Sequence, residues 1–153
     1  MNEPVSKTKF SEKTLARLAA VQALYRSFVS KDDIKDIISQ FMNNPEVLLE
    51  ETQKVHDIDI DIFSFIAEGT DKNKETIDSM IEEASNNKEA AKRYELLLKA
   101  ILRAGIFELM ENQKIQKDII INDYVEITHS FFNAKEPALV NAILDNVGKK
   151  IRN

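Results

Sequence analysis

The sequence is poor in residues that cross-link or punctuate a fold: its 153 residues include no cysteine, three glycines and three prolines. Without cysteine there are no disulfide bonds, thiolate zinc sites or cysteine nucleophiles, which is typical of proteins in the reducing cytoplasm. The three glycines are isolated, so the sequence has no glycine-rich loop that would bind a phosphate. Sparse glycine and proline indicate helices joined by short loops.

Long apolar runs are also missing. No stretch approaches the roughly 18 apolar residues that a membrane span needs, and residues 1–10 contain no apolar segment of signal-peptide length. With 43% hydrophobic residues, the chain can still build a sizeable core. We expect a cytoplasmic protein with a flexible arm over residues 1–10 and a single helical domain over residues 11–153.

Features typical of catalysis are scarce. The two histidines, His56 and His129, stand in no recognisable nucleophile–base pattern. Carboxylates are plentiful over residues 32–85, but nothing in the sequence pairs them for acid–base work. The sequence therefore predicts neither an enzyme nor a bound cofactor.

A calcium-binding loop is the metal site that the spacing of acidic residues suggests. Asp57, Asp59, Asp61 and Glu68 fall at positions 1, 3, 5 and 12 of an EF-hand loop. Position 6, where the sharp turn needs glycine, is Ile62. We interpret these aspartates instead as residues that precede a helix and favour its positive end, and no metal site is predicted.

Apolar residues recur at helical spacing along most of the chain. The predicted helices cover residues 11–30, 34–41, 59–68, 70–84, 88–112, 120–132 and 137–151, with a short one over 46–56. Residues 57–62 alternate between aspartate and isoleucine as a strand would, but no convincing second strand exists to pair with them. We therefore expect an all-α fold of about seven helices and no sheet.

Several residues are predicted to have particular places in these helices. Ser11 is expected to cap the first helix. Gly69 is expected to end the 59–68 helix, and Thr70 is expected to cap the 70–84 helix. The helix over 88–112 is apolar on all sides, so it should lie at the centre of the fold. The first helix has an inward stripe of Leu15, Leu18, Ala19, Gln22, Tyr25 and Val29 and a seam of small residues at Ala16, Ala20 and Ala23.

Charge is distributed unevenly along the chain. The net charge of −5 divides into +4 over residues 1–31, −11 over residues 32–85 and +2 over residues 86–153. An acidic middle between two basic ends can attract an anion to one face and a basic partner to another. We expect the bases of the two ends to converge; the alternative is that the acidic residues only form a solvated surface.

The start of the chain carries the residues best suited to RNA. Lys7, Lys9, Lys13 and Arg17 are basic there, and the last two lie one helical turn apart, where they could meet successive phosphates. Tyr25 could stack on a base. Gln22, on the inward stripe, would need a polar partner from the protein or a ligand. The alternative is that Tyr25 belongs to the core and the lysines are only solvated.

Four short motifs occur in order along the chain. The first lies within Ala16–Tyr25 (ARLAAVQALY), and the second lies within Lys99–Leu109 (KAILRAGIFEL). The third is Ile121–Glu126 (INDYVE), followed by Ser130-Phe131, and the last is Val140–Asp145 (VNAILD). In sequence and order these motifs resemble the NusB family, over roughly residues 14–30 and 57–148.

The resemblance implies an all-helical fold of two small bundles and a role in transcription antitermination at ribosomal RNA operons. Members of the family bind single-stranded boxA RNA together with NusE, the free form of a small-subunit ribosomal protein, in the RNA polymerase antitermination complex. By position, Arg17, Gln22 and Tyr25 would belong to the RNA-binding surface, and Ser130, Phe131 and Asn141 would lie near it. The acidic residues within 32–85 would suit the basic protein partner.

The chain departs from the family pattern at its N-terminus, where scattered lysines replace an arginine-rich segment. Lysine offers a point charge and not a planar fork, so we expect fewer phosphate contacts and weaker RNA binding without the protein partner. Asp123 stands where glutamate is usual, Leu139 stands where an aromatic is common, and the segment over 42–56 is longer than usual.

Two other functions stay open at this point. One is a stand-alone helical module that binds only protein, and the other is the NusB-like accessory domain of a ribosomal RNA cytosine methyltransferase. Relatives can dimerise, and the adjacent Phe131 and Phe132 are compatible with a homodimer.

Overall fold

The computed structural model describes residues 10–44, 58–133 and 135–152. Its helices are α1 (Glu12–Ser30), α2 (Ile34–Asn43), α3 (Ile60–Lys72), α4 (Lys74–Ala84), α5 (Lys88–Lys92), α6 (Leu96–Glu111), α7 (Lys117–His129) and α8 (Lys135–Ile151). These ranges contain no strand, so the predicted all-α class is confirmed. None of these helices combines the length and the hydropathy that crossing a bilayer requires. The predicted helix over 46–56 and residues 1–9 of the predicted arm lie outside the described residues.

Local contacts set both ends of α1. The Ser11 hydroxyl oxygen accepts a hydrogen bond from the Thr14 backbone N–H at 3.1 Å, as expected of an N-cap. At the other end, Lys31 adopts a left-handed conformation with φ of 67°, and its N–H donates to the Ser27 carbonyl. The predicted bounds of this helix are therefore confirmed.

The alternating aspartates lead into a helix and not a strand. Asp59 is the N-cap of α3, and its Oδ1 accepts from the Ile62 N–H at 3.2 Å. Within the described ranges, no three His, Cys, Asp or Glu side chains are grouped to hold a metal ion. Asp57 lies outside these ranges.

Helix α6 lies at the centre of the fold, and ten of its 16 residues are buried. Five other helices (α1, α3, α4, α7 and α8) pack on it. On one side α1, α2 and α3 also pack on one another, and on the other side α8 packs on both α7 and α4. The result is two small helical bundles that share α6.

The apolar run over 88–112 is not one helix, contrary to the prediction. Helix α5 ends at Lys92 and α6 begins at Leu96. Between them Tyr94 packs against the core, and its hydroxyl oxygen lies 3.3 Å from Ser85 Oγ at the end of α4. Hydrophobic periodicity did not reveal this break, because the break accompanies a contact with another helix.

Gly69 does not end its helix, and the prediction that it would is wrong. Helix α3 continues to Lys72, and no glycine in the described ranges has a positive φ. Gly69 instead permits a close approach between α3 and α6, because a Cβ at this position would overlap the ring of Phe107. Thr70 is a buried residue of α3 and not a cap; Asn73 precedes α4 without a side-chain capping bond.

Helix α1 buries only part of its predicted stripe. The small-residue seam is confirmed, since Ala16, Ala20 and Ala23 are fully buried where α1 packs on α3 and α6. Further along the helix, Tyr25 and Val29 are 39% and 54% exposed. The apolar stripe of α1 therefore continues past the core into solvent.

Helix α7 begins at Lys117 and ends at His129, so it starts and stops a few residues before the predicted bounds. Phe131 and Phe132 follow the helix, and both are partly buried against the core. Both residues therefore lie outside the helix that was predicted to include them.

Arg152 follows α8 and closes the C-terminal end of α6. Its guanidinium donates to the carbonyl oxygens of Leu109 at 2.8 Å and of Asn112 at 2.6 Å. The end of a helix leaves carbonyl groups without intrahelical partners, and Arg152 supplies donors for them.

Candidate nucleic-acid interface

A buried ion-pair network joins α1, α6 and α7. Arg17 of α1 makes a bidentate contact with Glu108 of α6, with Nε–Oε1 at 2.5 Å and Nη2–Oε2 at 3.0 Å. Its Nη1 donates to Asp123 Oδ2 of α7 at 2.8 Å. Arg17 is 4% exposed and Glu108 is fully buried, so the guanidinium group of Arg17 is bound by carboxylates inside the protein.

Neutral side chains complete the network around the two carboxylates. The Tyr124 hydroxyl donates to Glu108 Oε1 at 2.7 Å, and Asn112 Nδ2 donates to Glu108 Oε2 at 2.8 Å. The Thr14 hydroxyl donates to Asp123 Oδ1 at 2.8 Å. Each carboxylate oxygen therefore has a donor, which is the condition under which a buried charge is tolerated.

The burial and charges of this network fix its protonation. Burial lowers the pKa of Arg17, but the hydrogen bond and charge of Glu108 outweigh it, with help from Tyr124 and Asp123, and the pKa lies above its usual range. Burial raises the pKa of Tyr124, and the charge of Glu108 raises it further, although Arg17 opposes the rise. Arg17 is therefore held as a cation and Tyr124 as a neutral donor.

Because Tyr124 is neutral in the folded protein, we expect the free energy of unfolding to fall at alkaline pH. Its pKa in the folded protein lies above the ordinary value of 10.0, so above about pH 10 the unfolded chain releases the phenol proton first. The contribution of Tyr124 to the free energy of unfolding is fully present below that pH and falls as the pH rises. Urea denaturation between about pH 8 and pH 11 should show a steeper fall for the wild-type protein than for Tyr124→Phe.

The control for this experiment is Tyr25→Phe, which replaces an exposed phenol on α1. Its pH dependence should follow that of the wild-type protein. Parallel pH profiles for all three proteins would show that the Tyr124 proton is not linked to folding.

The network corrects the role predicted for Arg17. Lys13, one turn earlier on α1, is exposed, whereas Arg17 points into the protein. The two residues therefore do not present paired cations to successive phosphates. Arg17 positions α1 against α6 and α7, and it is not available on the surface to bind RNA.

Gln22, Tyr25 and Val29 form a surface that we call the α1 face. They follow one another at intervals of about one turn, so they share one side of the helix. Gln22 Oε1 is buried and accepts no hydrogen bond from any described residue. Lys13 lies half a turn away around the helix from Gln22, so the α1 face and Lys13 point in different directions.

The other predicted residues lie in the second bundle or outside the described ranges. Ser130, just after α7, is exposed, and Phe131 is partly buried. Since α1 contacts α7, these two residues follow an element next to α1. Asn141 is exposed on α8, which packs on α7. Lys7 and Lys9 lie outside the described residues.

Several bases near the C-terminus are engaged within the protein. Lys149 Nζ lies 3.0 Å from an Asp145 carboxylate oxygen, and Lys150 Nζ lies 3.9 Å from one of Glu83. Arg152 binds the carbonyls of α6. Arg17 and these three bases therefore contact carboxylates or carbonyls of the protein, whereas the convergence of the bases of the two chain ends, which include Lys7 and Lys9, stays a prediction.

Comparison with known proteins identifies the family. The NusB family model matches residues 14–149. The chain is 34% identical over 151 residues to the transcription antitermination protein NusB of Allorhizobium ampelinum, covering 99% of this chain and 94% of the relative. It is 36% identical over 138 residues to the protein of the same name from Bartonella quintana, covering 90% and 88%. The chain belongs to the NusB family.

Solved NusB structures share the fold. T. maritima NusB has a TM-score of 0.73 at 23% identity, covering 92% of each chain. A chain from the crystal structure of the antitermination factors NusB and NusE in complex with dsRNA has a TM-score of 0.73 at 18% identity, covering 90% of this chain and 96% of that one. The predicted NusB-like architecture is therefore confirmed.

The buried network of this NusB-family protein was not predicted from the sequence, although one signal pointed to it. Glu108 is the only acidic residue in the apolar run over 96–110. A lone carboxylate in such a run needs a buried partner. The sequence could not identify Arg17 as that partner, because the two residues are 91 positions apart.

Proposed function

We propose that this NusB-family chain is a transcription antitermination factor that binds boxA RNA together with NusE at ribosomal RNA operons. Relatives about one-third identical over nearly the whole chain carry the name transcription antitermination protein. A chain from a complex of NusB, NusE and dsRNA shares the fold. We further propose that the protein has no catalytic activity, acts in the cytoplasm, and consists of one domain over 11–153 with an arm over 1–10.

The α1 face is the observation that carries the RNA proposal. Tyr25 is an exposed ring on which an unpaired base can stack, which favours single-stranded RNA. The buried Gln22 Oε1 has no donor among the described residues, and an unsatisfied buried acceptor costs about 1–3 kcal/mol. An amino or hydroxyl group of the RNA would supply the missing donor.

Other contacts to the RNA are proposed outside the α1 face. We propose that Lys7, Lys9 and Lys13 contact phosphates and that Ser130, Phe131 and Asn141 extend the RNA surface along the second bundle. Arg17 is left out of this set because Glu108 and Asp123 occupy its guanidinium group.

The acidic helices suit the proposed protein partner. The acidic side chains of α2–α4 are all exposed or partly exposed, among them Asp36, Glu68, Asp71, Glu75, Glu82 and Glu83. They complement the basic surface expected of a ribosomal protein. Two modest contacts, one to RNA and one to NusE, gain affinity in a joint complex through effective concentration.

A gel-shift titration of boxA RNA with the protein, with NusE and with both tests the proposal. We expect the two proteins together to bind more tightly than either alone. Tyr25→Ala should weaken RNA binding about tenfold, because stacking on one base contributes about 1–3 kcal/mol. Tyr25→Phe keeps the ring and should retain most of the affinity.

The matched control is Phe65→Ala, which removes another exposed aromatic ring, 43% exposed on α3. It should leave RNA affinity unchanged. Failure to form a cooperative complex would contradict the antitermination proposal. Equal affinities for Tyr25→Ala and the wild-type protein would contradict only the role of the α1 face.

A further inference from the structure

We propose that a cavity between α1, α3, α4 and α6, here called the junction cavity, binds a small organic cation with alkylammonium groups. Its volume is about 580 Å³, within the range of sites that hold small ligands. None of the α1-face residues Gln22, Tyr25 and Val29 lines this cavity, but Asp71 and Glu75, which do line it, also belong to the acidic surface proposed to face NusE.

The walls of the junction cavity combine an apolar side with a polar rim. Leu24, Phe28 and Ile34 supply apolar surface, and charged residues of α4 and of the α1–α2 loop supply the rim. A ligand with methylene segments between charged groups would match both parts. A bare metal ion would leave the apolar wall without a contact.

Thr70 contributes a hydroxyl that has no partner. It lines the cavity, it is fully buried, and its Oγ1 has no hydrogen bond within the described ranges. Threonine in a helix commonly donates to the carbonyl four residues earlier, and this one does not. A hydroxyl oxygen can accept a hydrogen bond from an ammonium group, so a cationic ligand would satisfy it.

Charge selects a cation over an anion. Five lining residues are acidic (Asp32, Asp33, Asp71, Glu75 and Asp78) and three are basic (Lys31, Lys74 and Arg103). Arg103 is neutralised by Asp78 through two hydrogen bonds of 2.8 Å, and Lys74 Nζ lies 3.6 Å from Asp71.

The remaining lining charges are three carboxylates and the ammonium of Lys31, which lies 5.3 Å from the centre of the Phe28 ring. Asp33 also caps α2, so its carboxylate has a local role. Asp32 and Glu75 are exposed on the rim, and neither forms an ion pair within the described part of the chain. These two carboxylates are therefore the groups that a bound ammonium would reach first.

Calorimetric titration of the full chain with spermidine tests this inference. Asp32→Asn with Glu75→Gln should weaken spermidine binding at least fivefold. The control is Asp118→Asn with Glu126→Gln, which removes the same charge from exposed positions on α7 and should leave binding unchanged. Equal losses in the two double variants would overturn the proposal, because binding would then follow net charge alone.

Thr70→Val separates ligand binding from structural support. Without ligand, this variant should melt at or above the wild-type temperature, since it replaces an unsatisfied buried hydroxyl by a methyl group of similar shape. It should nevertheless bind spermidine more weakly than the wild-type protein does. Unchanged spermidine affinity in Thr70→Val would overturn the assignment of the hydroxyl to the ligand.

Two further titrations identify the source of the cation. A blocked tripeptide with a central lysine carries the same chemistry as the side chain of a protein partner. Tighter binding of spermidine assigns the cavity to free polyamines, and tighter binding of the tripeptide assigns it to a lysine of a partner. Binding of inorganic phosphate in place of both would overturn the proposal.

Discussion

Arg17→Ala is expected to lower the free energy of unfolding by about 3–5 kcal/mol, because it leaves a buried charge without its counter-ion. Glu108 would keep the hydrogen bonds from Tyr124 and Asn112, and neither of these side chains carries a positive charge. The loss should appear as a lower midpoint of urea unfolding with an unchanged slope.

Two variants separate the lost ion pair from lost packing. Arg17→Met combined with Glu108→Leu and Tyr124→Phe removes the polar core of the network and should recover most of the stability, since apolar residues of similar volume replace buried ion pairs well. Lys13→Ala changes the exposed base one turn earlier and should shift the free energy of unfolding by less than about 0.5 kcal/mol. If Arg17→Ala unfolds at the wild-type urea concentration yet binds RNA weakly, the structural role assigned here to Arg17 is wrong.

The buried network also bears on the RNA surface. Arg17 fixes α1 against α6 and α7, and the α1 face follows on the same helix. A change at Arg17 would therefore reach RNA through the position of α1 and not through a lost phosphate contact. This distinguishes Arg17 from Tyr25, whose exposed ring is free to touch a ligand.

Helix ends that depend on neighbouring residues were predicted from the sequence. Ser11 caps α1 by accepting a hydrogen bond from the backbone N–H of Thr14, only three residues along the chain. This local contact made the start of α1 predictable. Errors arose where distant residues decide the outcome. The turn at Tyr94 accompanies a contact with Ser85, and the role of Arg17 depends on Glu108.

The candidate site was predicted in part for the same reason. The sequence placed Tyr25 and Gln22 on one side of the first helix. Helical spacing alone could not show where along α1 the packing of α3 and α6 ends. The position of that end depends on how far α3 and α6 extend along α1. Glycine was ambiguous as well, since the same residue type ends helices and permits close helix contacts.

Gly69→Ala is expected to lower the free energy of unfolding by about 2–3 kcal/mol, as overpacking of a core does. The added Cβ would overlap the Phe107 ring, which is 3% exposed. That ring also packs on Phe65, with ring centres 5.0 Å apart, so it cannot swing aside without losing this contact. The sign is informative because alanine inside a helix is normally more stable than glycine by about 0.5–1 kcal/mol.

A double-mutant cycle with Phe107→Leu tests whether the steric conflict is the cause. Leucine removes the ring, so Gly69→Ala should cost much less in the Phe107→Leu background than in the wild-type protein. Gly148→Ala is the matched control, because its Cβ would meet nothing closer than Lys117 Cδ at 3.6 Å, and it should leave stability unchanged or raise it by up to about 1 kcal/mol. If Gly69→Ala is as stable as the wild-type protein, Phe107 can move at little cost, and the contact between Gly69 and its ring does not set the spacing of α3 and α6.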